Sequence, residues 1–369
     1  MIYQIVRGRV LHTTPGVIKG ILEKAGEISP QTASQQFICV AMFGTKMLYN
    51  NVEDNPYEEI FKSHSFTNYK LFYSKSEFLR FLLTRKHDDK FIIHGNMEVK
   101  FHLLTNTLLL LFRRDLLCKM SLICWGNNDF VKGEKLLTKL TLGLIRKWSY
   151  NLYQNVITLS TGDKEIAQAL YPKAHVIYLP YLSSRKRELS IIKKDSDAKC
   201  RVMVSHSGWP ENKHLKSFEL LRKFVPNIEI ICPLCYGDPN YIGEVIMKGK
   251  EIFGEKFSYF KDLMSPQDYL YFLKTIDVYV TAAERQTGLG AAYSAMEGGV
   301  KLYVTGNNLE SMRKEGYLVF DIDTIKNISM KDFRKPLTYD EAKSNVDILA
   351  YTHCDSKEII EGWKHVYED

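Results

Sequence analysis

Short apolar runs, rich in β-branched and aromatic residues, alternate along the whole chain with segments long enough to form helices. In the first half the runs occupy residues 2–10, 37–43, 69–73, 91–94, 120–125 and 155–160. In the second half they occupy residues 201–205, 228–232, 257–260, 277–281 and 301–305. This alternation is typical of βα units that form parallel sheets. The sequence therefore predicts the α/β class.

The length of the chain indicates more than one domain. One hydrophobic core rarely organises as many as 369 residues. We expect two Rossmann-like domains, over residues 1–182 and 199–350, joined by a polar segment between them. The last helix is predicted to occupy most of residues 351–369, with Ile359, Ile360, Trp363 and Val366 at helical spacing.

Positive charge is concentrated in the first half. Residues 1–180 contain 23 Lys and Arg against 15 Asp and Glu, whereas the whole chain has a formal net charge of +7. Such asymmetry points to a polyanionic partner for the first half. Nucleic acid, an anionic bilayer and a diphosphate-bearing acceptor all fit, as does a basic surface with no specific partner.

The cysteines and the N-terminus restrict the compartment. Most of the seven cysteines lie in apolar runs, and Cys232 and Cys235 have CxxC spacing without a second pair to complete a zinc site. We expect reduced thiols. The N-terminus has no signal-peptide pattern, and the apolar run at residues 103–112 is too short to span a bilayer. The expected location is cytoplasmic or peripheral to a membrane.

The sharpest candidate site is the sequence RQTGLG at residues 285–290, between a predicted strand and a predicted helix. Glycines at such a turn let backbone amides approach a phosphate, and the start of the helix favours negative charge. An arginine can add a bidentate contact to a diphosphate. We therefore expect a phosphate site that includes Arg285, Gln286, Gly288, Leu289 and Gly290.

Two further loops should lie at the same edge of the second sheet. Small, polar and cationic residues crowd positions 205–214, where a strand ends, and residues 233–238 follow the next strand. Ligands of doubly wound sheets bind outside the carboxyl ends of the strands. We expect these loops to contribute Ser205, His206, Ser207, Gly208, Asn212, Lys213, Tyr236 and Gly237, although turn formation alone also favours Ser, Asn and Gly.

Candidates for a general base lie in the first half. Asp129 follows the predicted strand that ends at Trp125, while His94 and Glu98 end or follow an earlier strand. Each could accept a proton from an acceptor hydroxyl if the two domains face each other across a cleft. An ordinary helix-capping or turn role for Asp129 remains equally open.

Residues 103–114 and 136–153 could contact a membrane. Both segments combine leucines with basic residues, and the second also contains Trp148 and Tyr150. Such a face could lie on an anionic bilayer, although leucines at helical spacing often form a core instead.

The order and spacing of these motifs resemble the TDP-N-acetylfucosamine:lipid II N-acetylfucosaminyltransferases, also described as 4-α-L-fucosyltransferases. The resemblance covers roughly residues 90–320, including His94-Gly95, Trp125-Gly126, residues 205–214, 233–238 and 285–290, and the sequence LMSPQDY at residues 263–269. It adds Met264 and Ser265 to the expected donor site. Asn128 occupies the place where members of this family carry an acid. Ser294 occupies the place where other glycosyltransferase families of the GT-B kind often carry a ribose-binding glutamate, with Glu297 three residues further on.

The resemblance implies a GT-B glycosyltransferase, with two Rossmann-like domains, the donor site in the second and a C-terminal helix that returns to the first. It implies a TDP-sugar donor, such as TDP-4-acetamido-4,6-dideoxygalactose, and a lipid-diphosphate-linked glycan acceptor in bacterial envelope polysaccharide synthesis. It further implies no metal or other cofactor, and a location on the inner face of the cytoplasmic membrane. A nucleotide-sugar epimerase of the same fold and a nucleic-acid-binding protein are the alternatives, although no nucleic-acid-binding signature is evident in the sequence.

Overall fold

The computed structural model describes residues 1–7, 14–26, 35–40, 68–95, 99–126, 136–183, 185–192 and 199–368. The chain forms two compact units. Unit 1 comprises Met1–Arg185 together with Thr352–Asp369, and unit 2 comprises Lys186–Tyr351.

Unit 1 contains a parallel sheet of seven strands in the order β3-β2-β1-β4-β5-β6-β7. Its strands are β1 Ile2–Arg7, β2 Gln35–Val40, β3 Tyr69–Phe72, β4 Lys90–His94, β5 Met120–Cys124, β6 Asn155–Thr158 and β7 Val176–Tyr178. Its helices are α1 Thr14–Gly26, α2 Lys75–Leu83, α3 Val99–Phe112, α4 Arg114–Leu117, α5 Leu136–Tyr150, α6 Thr161–Leu170 and, after unit 2, α14 Lys357–Glu368.

The sequence of the central strands explains their place in the sheet. Every residue of β5 is buried, as are four of the five in β4, because helices cover both faces of a parallel sheet. The terminal helix α14 belongs to this core. Its Trp363 is fully buried and donates from Nε1 to the Pro180 carbonyl oxygen at 2.9 Å.

Unit 2 contains a parallel sheet of six strands in the order β10-β9-β8-β11-β12-β13. Its strands are β8 Cys200–Val204, β9 Ile228–Pro233, β10 Phe257–Phe260, β11 Val278–Val280, β12 Lys301–Val304 and β13 Phe320–Asp321. Its α-helices are α7 His214–Leu221, α8 Pro239–Phe253, α9 Pro266–Lys274, α10 Leu289–Met296, α11 Gly306–Lys314, α12 Met330–Arg334 and α13 Tyr339–Ala350.

Local chemistry sets several helix boundaries. Ser265 caps α9 by accepting from the Asp268 amide at 3.1 Å, with proline at the first helical position, a common pair at helix starts. Helix α7 begins at His214, directly after Lys213, which adopts a left-handed conformation with φ +50°. Helix α10 begins at Leu289, directly after Gly288.

Both sheets have a point at which the strand order reverses. In unit 1 it lies between β1 and β4, and in unit 2 between β8 and β11. Because consecutive crossovers leave in opposite directions there, a crevice opens at the carboxyl ends of these strands.

Three further features bear on membrane spanning, metal binding and thiol chemistry. In the described ranges no helix is both long and apolar enough to cross a membrane. The same residues contain no group of three or more His, Cys, Asp or Glu side chains arranged to hold a metal ion. Cys232 and Cys235 are free thiols, and burial raises the pKa of both.

Candidate active site

The loops that follow β8 and β11 are joined at the crevice of unit 2. Ser205 is fully buried and has φ +59°, a conformation that non-glycine residues seldom adopt. Its Oγ donates towards the Asn212 carbonyl oxygen at 3.3 Å and Thr281 Oγ1 at 3.2 Å. The unusual backbone of Ser205 is therefore held by contacts with both loops.

Asn212 closes the first of these loops on itself. Its Nδ2 donates to the Ser207 carbonyl oxygen at 2.6 Å and to Ser207 Oγ at 3.0 Å. Ser207 Oγ in turn lies 3.1 Å from His206 Nε2. Because Asn212 donates a hydrogen bond to the Ser207 hydroxyl, that hydroxyl can donate its own hydrogen to Nε2. When it does so, the neutral ring carries its N–H at Nδ1 and can donate there.

His206 Nδ1 lies beside the start of α10. Gly288 has φ +68°, and a Cβ atom at this position would lie 2.5 Å from His206 Nδ1. Gly288 precedes α10, whose first turn contains no acidic residue and no side-chain cap. The first amides of a helix point outward without intrahelical partners and attract anions. The unpartnered ring nitrogen of His206 and the first amides of α10 thus lie at one place.

Several polar atoms at the crevice are enclosed but lack a hydrogen-bond partner in the part of the chain that the structure describes. They are His206 Nδ1, Asn212 Oδ1, Gln286 Oε1 and Asn308 Oδ1. Buried polar groups are almost always satisfied by protein, water or ligand. Their presence in the loops around one crevice is typical of a site that receives a polar ligand.

Cations flank the same loops. Lys213 Nζ binds Glu284 Oε1 at 2.5 Å, in an exposed pair, and the half-buried Arg285 follows Glu284. Desolvation lowers the pKa of His206 to about 4, so its ring is neutral at pH 7. Positive charge for a diphosphate must therefore come from lysine or arginine rather than from this histidine.

The N-terminus of α11 supports the loop at residues 284–288. The sequence analysis did not predict this contribution of α11. The Asn307 amide donates to the Glu284 carbonyl oxygen at 2.9 Å, and Asn308 Nδ2 reaches the Thr287 carbonyl oxygen at 3.4 Å. A Cβ at Gly306 would lie 2.3 Å from the Glu284 carbonyl oxygen. No motif marks Asn307 and Asn308. Thr281 and Glu284 could have been found from the sequence, because Thr281 directly follows β11 and Glu284 precedes Arg285.

The structure gives other roles to some predicted donor residues. Gly208 and Gly237 lie against each other, since a Cβ at Gly237 would lie 2.2 Å from the Gly208 carbonyl oxygen. The Ser265 hydroxyl is used in capping α9, and Met264 precedes it. Gly290 has open space at its Cβ position.

The positions near the ribose motif lie along α10. Ser294 is half-buried in α10, and the buried Glu297 pairs with Arg187 at 2.5 Å. Leu289 begins the helix, while Tyr236 is half-buried in the loop after β9. No contact shown by the structure assigns any of these residues to the donor, so their binding roles remain predictions.

Of the base candidates in unit 1, His94 is the one that lies among the described residues. Glu98 and Asp129 lie outside the described residues, as does Asn128. His94 ends β4 and has no exposed surface. Its Nε2 lies 2.8 Å from Gln4 Oε1 and its Nδ1 lies 3.0 Å from the Tyr181 hydroxyl, and burial lowers its pKa to about 3.

Comparison with known structures gives the same architecture over nearly the whole chain. HepE from Anabaena, solved with UDP-glucose, matches with a TM-score of 0.65 at 11% identity, covering 99% of this chain and 98% of that one. Sucrose-phosphate synthase from Thermosynechococcus elongatus gives 0.64 at 11%, with the same coverage. A glycosyltransferase from Rickettsia africae gives 0.60 at 13%, covering 100% and 98%. The two Rossmann-like units have the GT-B fold.

A family model identifies the branch. The model described as 4-alpha-L-fucosyltransferase, glycosyl transferase group 56, matches residues 55–364. The chain belongs to this family, so the resemblance predicted from the motifs is confirmed.

Proposed function

We propose that this glycosyltransferase moves a deoxy or amino sugar from a TDP-linked donor to a lipid-diphosphate-linked glycan in envelope polysaccharide synthesis. The observation that carries the proposal is the crevice of unit 2. The loops that border the reversal of strand order between β8 and β11 there contribute the amides at the start of α10, the Nδ1 atom of His206 and the cation Arg285.

Each part of the crevice has a role in the transfer. An acceptor hydroxyl oxygen forms a bond to the anomeric carbon, while the bond from that carbon to the β-phosphate oxygen breaks. The hydroxyl proton passes to a base, for which Asp129 is our candidate, and the nucleoside diphosphate departs. Arg285, the α10 amides and His206 Nδ1 stabilise the charge that develops on the departing diphosphate.

The donor can be tested without an acceptor. A ligand at a hundredfold its Kd adds about 2.7 kcal/mol to the free energy of unfolding. We expect TDP to raise the melting temperature more than UDP or GDP at equal concentration. The Arg285→Ala variant should lose that shift. Equal shifts with all three nucleotides would overturn the TDP assignment, and no shift with any of them would overturn the donor site.

Family membership favours transfer over the two alternatives. An epimerase would convert TDP-sugar without any acceptor, which nuclear magnetic resonance of the sugar would detect. A nucleic-acid-binding protein would bind random DNA with strong salt dependence and ignore nucleotides. We expect neither result.

The lipid-linked acceptor places the reaction at a membrane, and two helices of unit 1 offer a surface for it. α3 and α5 pack antiparallel, because His102 contacts Tyr153 at 3.1 Å and Asn106 contacts Ser149 at 3.0 Å. Among the side chains that the structure describes in these two helices, the large exposed apolar ones are Leu104, Leu111, Phe112, Leu144 and Trp148. We call them the apolar face.

Exposure and charge both suit an anionic bilayer. Leu111 is 70% exposed and Trp148 59%. Neither helix contains Asp or Glu, and residues 99–150 carry nine Lys and Arg against three Asp and Glu. An apolar face with cations beside it binds by inserting side chains and by attracting anionic headgroups. We propose that this face lies on the inner surface of the cytoplasmic membrane.

Vesicle sedimentation tests the surface. Wild-type protein should bind vesicles containing phosphatidylglycerol and not phosphatidylcholine alone, with binding reduced by salt. Leu111→Glu combined with Trp148→Glu should abolish binding while leaving nucleotide affinity unchanged. The matched control is Met247→Glu with Tyr271→Glu, two exposed apolar residues of unit 2. Equal loss in both variants would contradict the assignment of this face.

A further inference from the structure

A buried chain of hydrogen bonds crosses unit 1. Gln4 Nε2 donates to the Tyr367 hydroxyl at 2.9 Å, and Gln4 Oε1 lies 2.8 Å from His94 Nε2. On the other side of the ring, Nδ1 lies 3.0 Å from the Tyr181 hydroxyl, which also accepts from Trp125 Nε1 at 2.8 Å. The chain thus links β1, β4, the residue after β5, the segment after β7 and the terminal helix α14.

The direction of each bond follows from its neighbours. Because Gln4 uses its amide hydrogen towards Tyr367, its oxygen faces His94, and Nε2 must donate to it. A neutral imidazole has one donor, so Nδ1 accepts, and its partner is the Tyr181 hydroxyl proton. The Tyr181 oxygen then accepts the indole N–H of Trp125, which can only donate. These four hydrogen bonds are therefore mutually consistent.

Tyr181 is fixed by stacking as well. Its ring lies parallel to His94 on one side, with centroids 6.0 Å apart, and to Trp363, with centroids 6.1 Å apart. The rotation of its hydroxyl bond is set by His94. The position and direction of the acceptor offered to Trp125 therefore depend on His94.

Trp125 is the member of the chain that lies at the edge of the sheet where ligands of such folds bind. It directly follows β5, at the carboxyl edge of the sheet, and is half-buried. Its ring covers Gly95, where a Cβ atom would lie 3.1 Å from Trp125 Cδ2. Gly126 follows with φ +84°, and the segment that contains Asp129 begins just after it.

We propose that His94 is a positioning residue of the acceptor site, which acts through Tyr181 to fix the indole of Trp125 as a wall for the acceptor. The inference rests on the proposed function, and it replaces the role of general base for this residue. A base must reach the hydroxyl that it deprotonates. His94 has no exposed surface, and both of its nitrogens are already used inside the unit.

The first test needs no substrate. In ¹⁵N-labelled protein each of the four tryptophans gives one indole N–H resonance, and Trp125→Phe identifies that of residue 125. Tyr181→Phe should move this resonance upfield, because the indole loses its acceptor. His94→Gln should also move it. Tyr153→Phe, which removes another buried tyrosine hydroxyl of unit 1, is the matched control and should not.

Kinetics give the second test. A single neutral hydrogen bond contributes about 1 kcal/mol, so each network variant should raise the acceptor KM roughly fivefold. The donor KM and the shape of the pH–rate profile should stay as in the wild type. The double variant His94→Gln with Tyr181→Phe should raise the acceptor KM no more than the stronger single variant does, because both changes break the same chain of hydrogen bonds.

Two outcomes would overturn the inference. One is loss of a limb of the pH–rate profile in His94→Gln, which would make His94 the base. The other is an unmoved Trp125 resonance in both network variants. Since the resonance is measured on free enzyme, a wrong donor or acceptor assignment would leave this readout intact and show itself only in the kinetics.

Discussion

His94 and His206 border the strand-order reversals of the two sheets, yet they differ in what their rings can still bind. Desolvation lowers both pKa values, to about 3 for His94 and about 4 for His206, so both rings are neutral. His94 uses both nitrogens within unit 1, whereas His206 Nδ1 has no partner among the residues described. A depressed pKa alone therefore does not distinguish a ring whose nitrogens are both used within the unit from one with a nitrogen left for a ligand.

The surroundings of the two rings reinforce this difference. Gly95 is covered by the Trp125 ring, and the polar chain around His94 is closed by side chains from distant segments. Gly288 lies tightly against His206 at the start of α10, since a Cβ atom there would lie 2.5 Å from Nδ1. The polar chain around His94 is closed within unit 1, while His206 Nδ1 has no partner in the part of the chain that the structure describes.

The largest expected effect tests whether the cluster of unit 2 holds the diphosphate. Arg285→Ala should lower kcat/KM by about 10²–10³-fold, the usual cost of removing one group that stabilises developing charge. Its folding should change little. Arg222→Ala, which removes an exposed arginine paired with Glu219, is the control and should keep activity. Full activity in Arg285→Ala would remove the distinction between the two clusters.

A matched pair of glycine variants compares the close contact of Gly288 with His206 and that of Gly95 with Trp125. Gly288→Ala and Gly95→Ala both force an L-residue into a left-handed conformation, at φ +68° and +71°, which costs about 1–2 kcal/mol of stability. Only Gly288→Ala also pushes on His206, so only this variant should weaken nucleotide binding, by about tenfold or more. Isothermal titration with TDP and urea unfolding separate the two effects. Equal losses of affinity in the two variants would show that the contact between Gly288 and His206 has no particular role in nucleotide binding.

The smallest effect concerns pH. A histidine whose folded pKa lies below its unfolded value of about 6.5 stabilises the fold fully above that pH. This contribution is lost as pH falls towards the folded pKa, by about 1.4 kcal/mol per pH unit. Urea unfolding at pH 7, 6 and 5 should therefore show a shallower pH dependence for His94→Gln and for His206→Gln than for the wild type. The exposed His87 provides the control variant.

Bound nucleotide sharpens this pH experiment. A diphosphate beside His206 favours the charged ring, so saturating TDP should flatten the pH dependence of wild type and of His94→Gln. The same addition should change His206→Gln much less. A uniform response of all three proteins would place the diphosphate away from His206.

Much of this architecture could be predicted from the sequence. Runs such as FIIH at residues 91–94 and RVMVS at 201–205 are apolar and β-branched, so each strand is recognisable locally, and their alternation with helices favours a parallel sheet. The loop at residues 285–290 is visible because its glycines and arginine lie next to one another. Contacts between near neighbours in sequence leave a pattern that can be read.

Only the tertiary structure shows which of the two histidines has a ring nitrogen without a hydrogen-bond partner among the described residues. The partners of His94 are Gln4, 90 residues away, and Tyr181, 87 residues away, and Tyr367 joins the chain from the terminal helix. The unused nitrogen of His206 is adjacent to Gly288, which lies in another loop. Each histidine looks alike in sequence, as a polar residue at the end of an apolar run. Hydrogen bonds between distant segments form only when the sheet brings those segments together, so only the folded chain distinguishes a histidine with both nitrogens paired from one with an unused nitrogen.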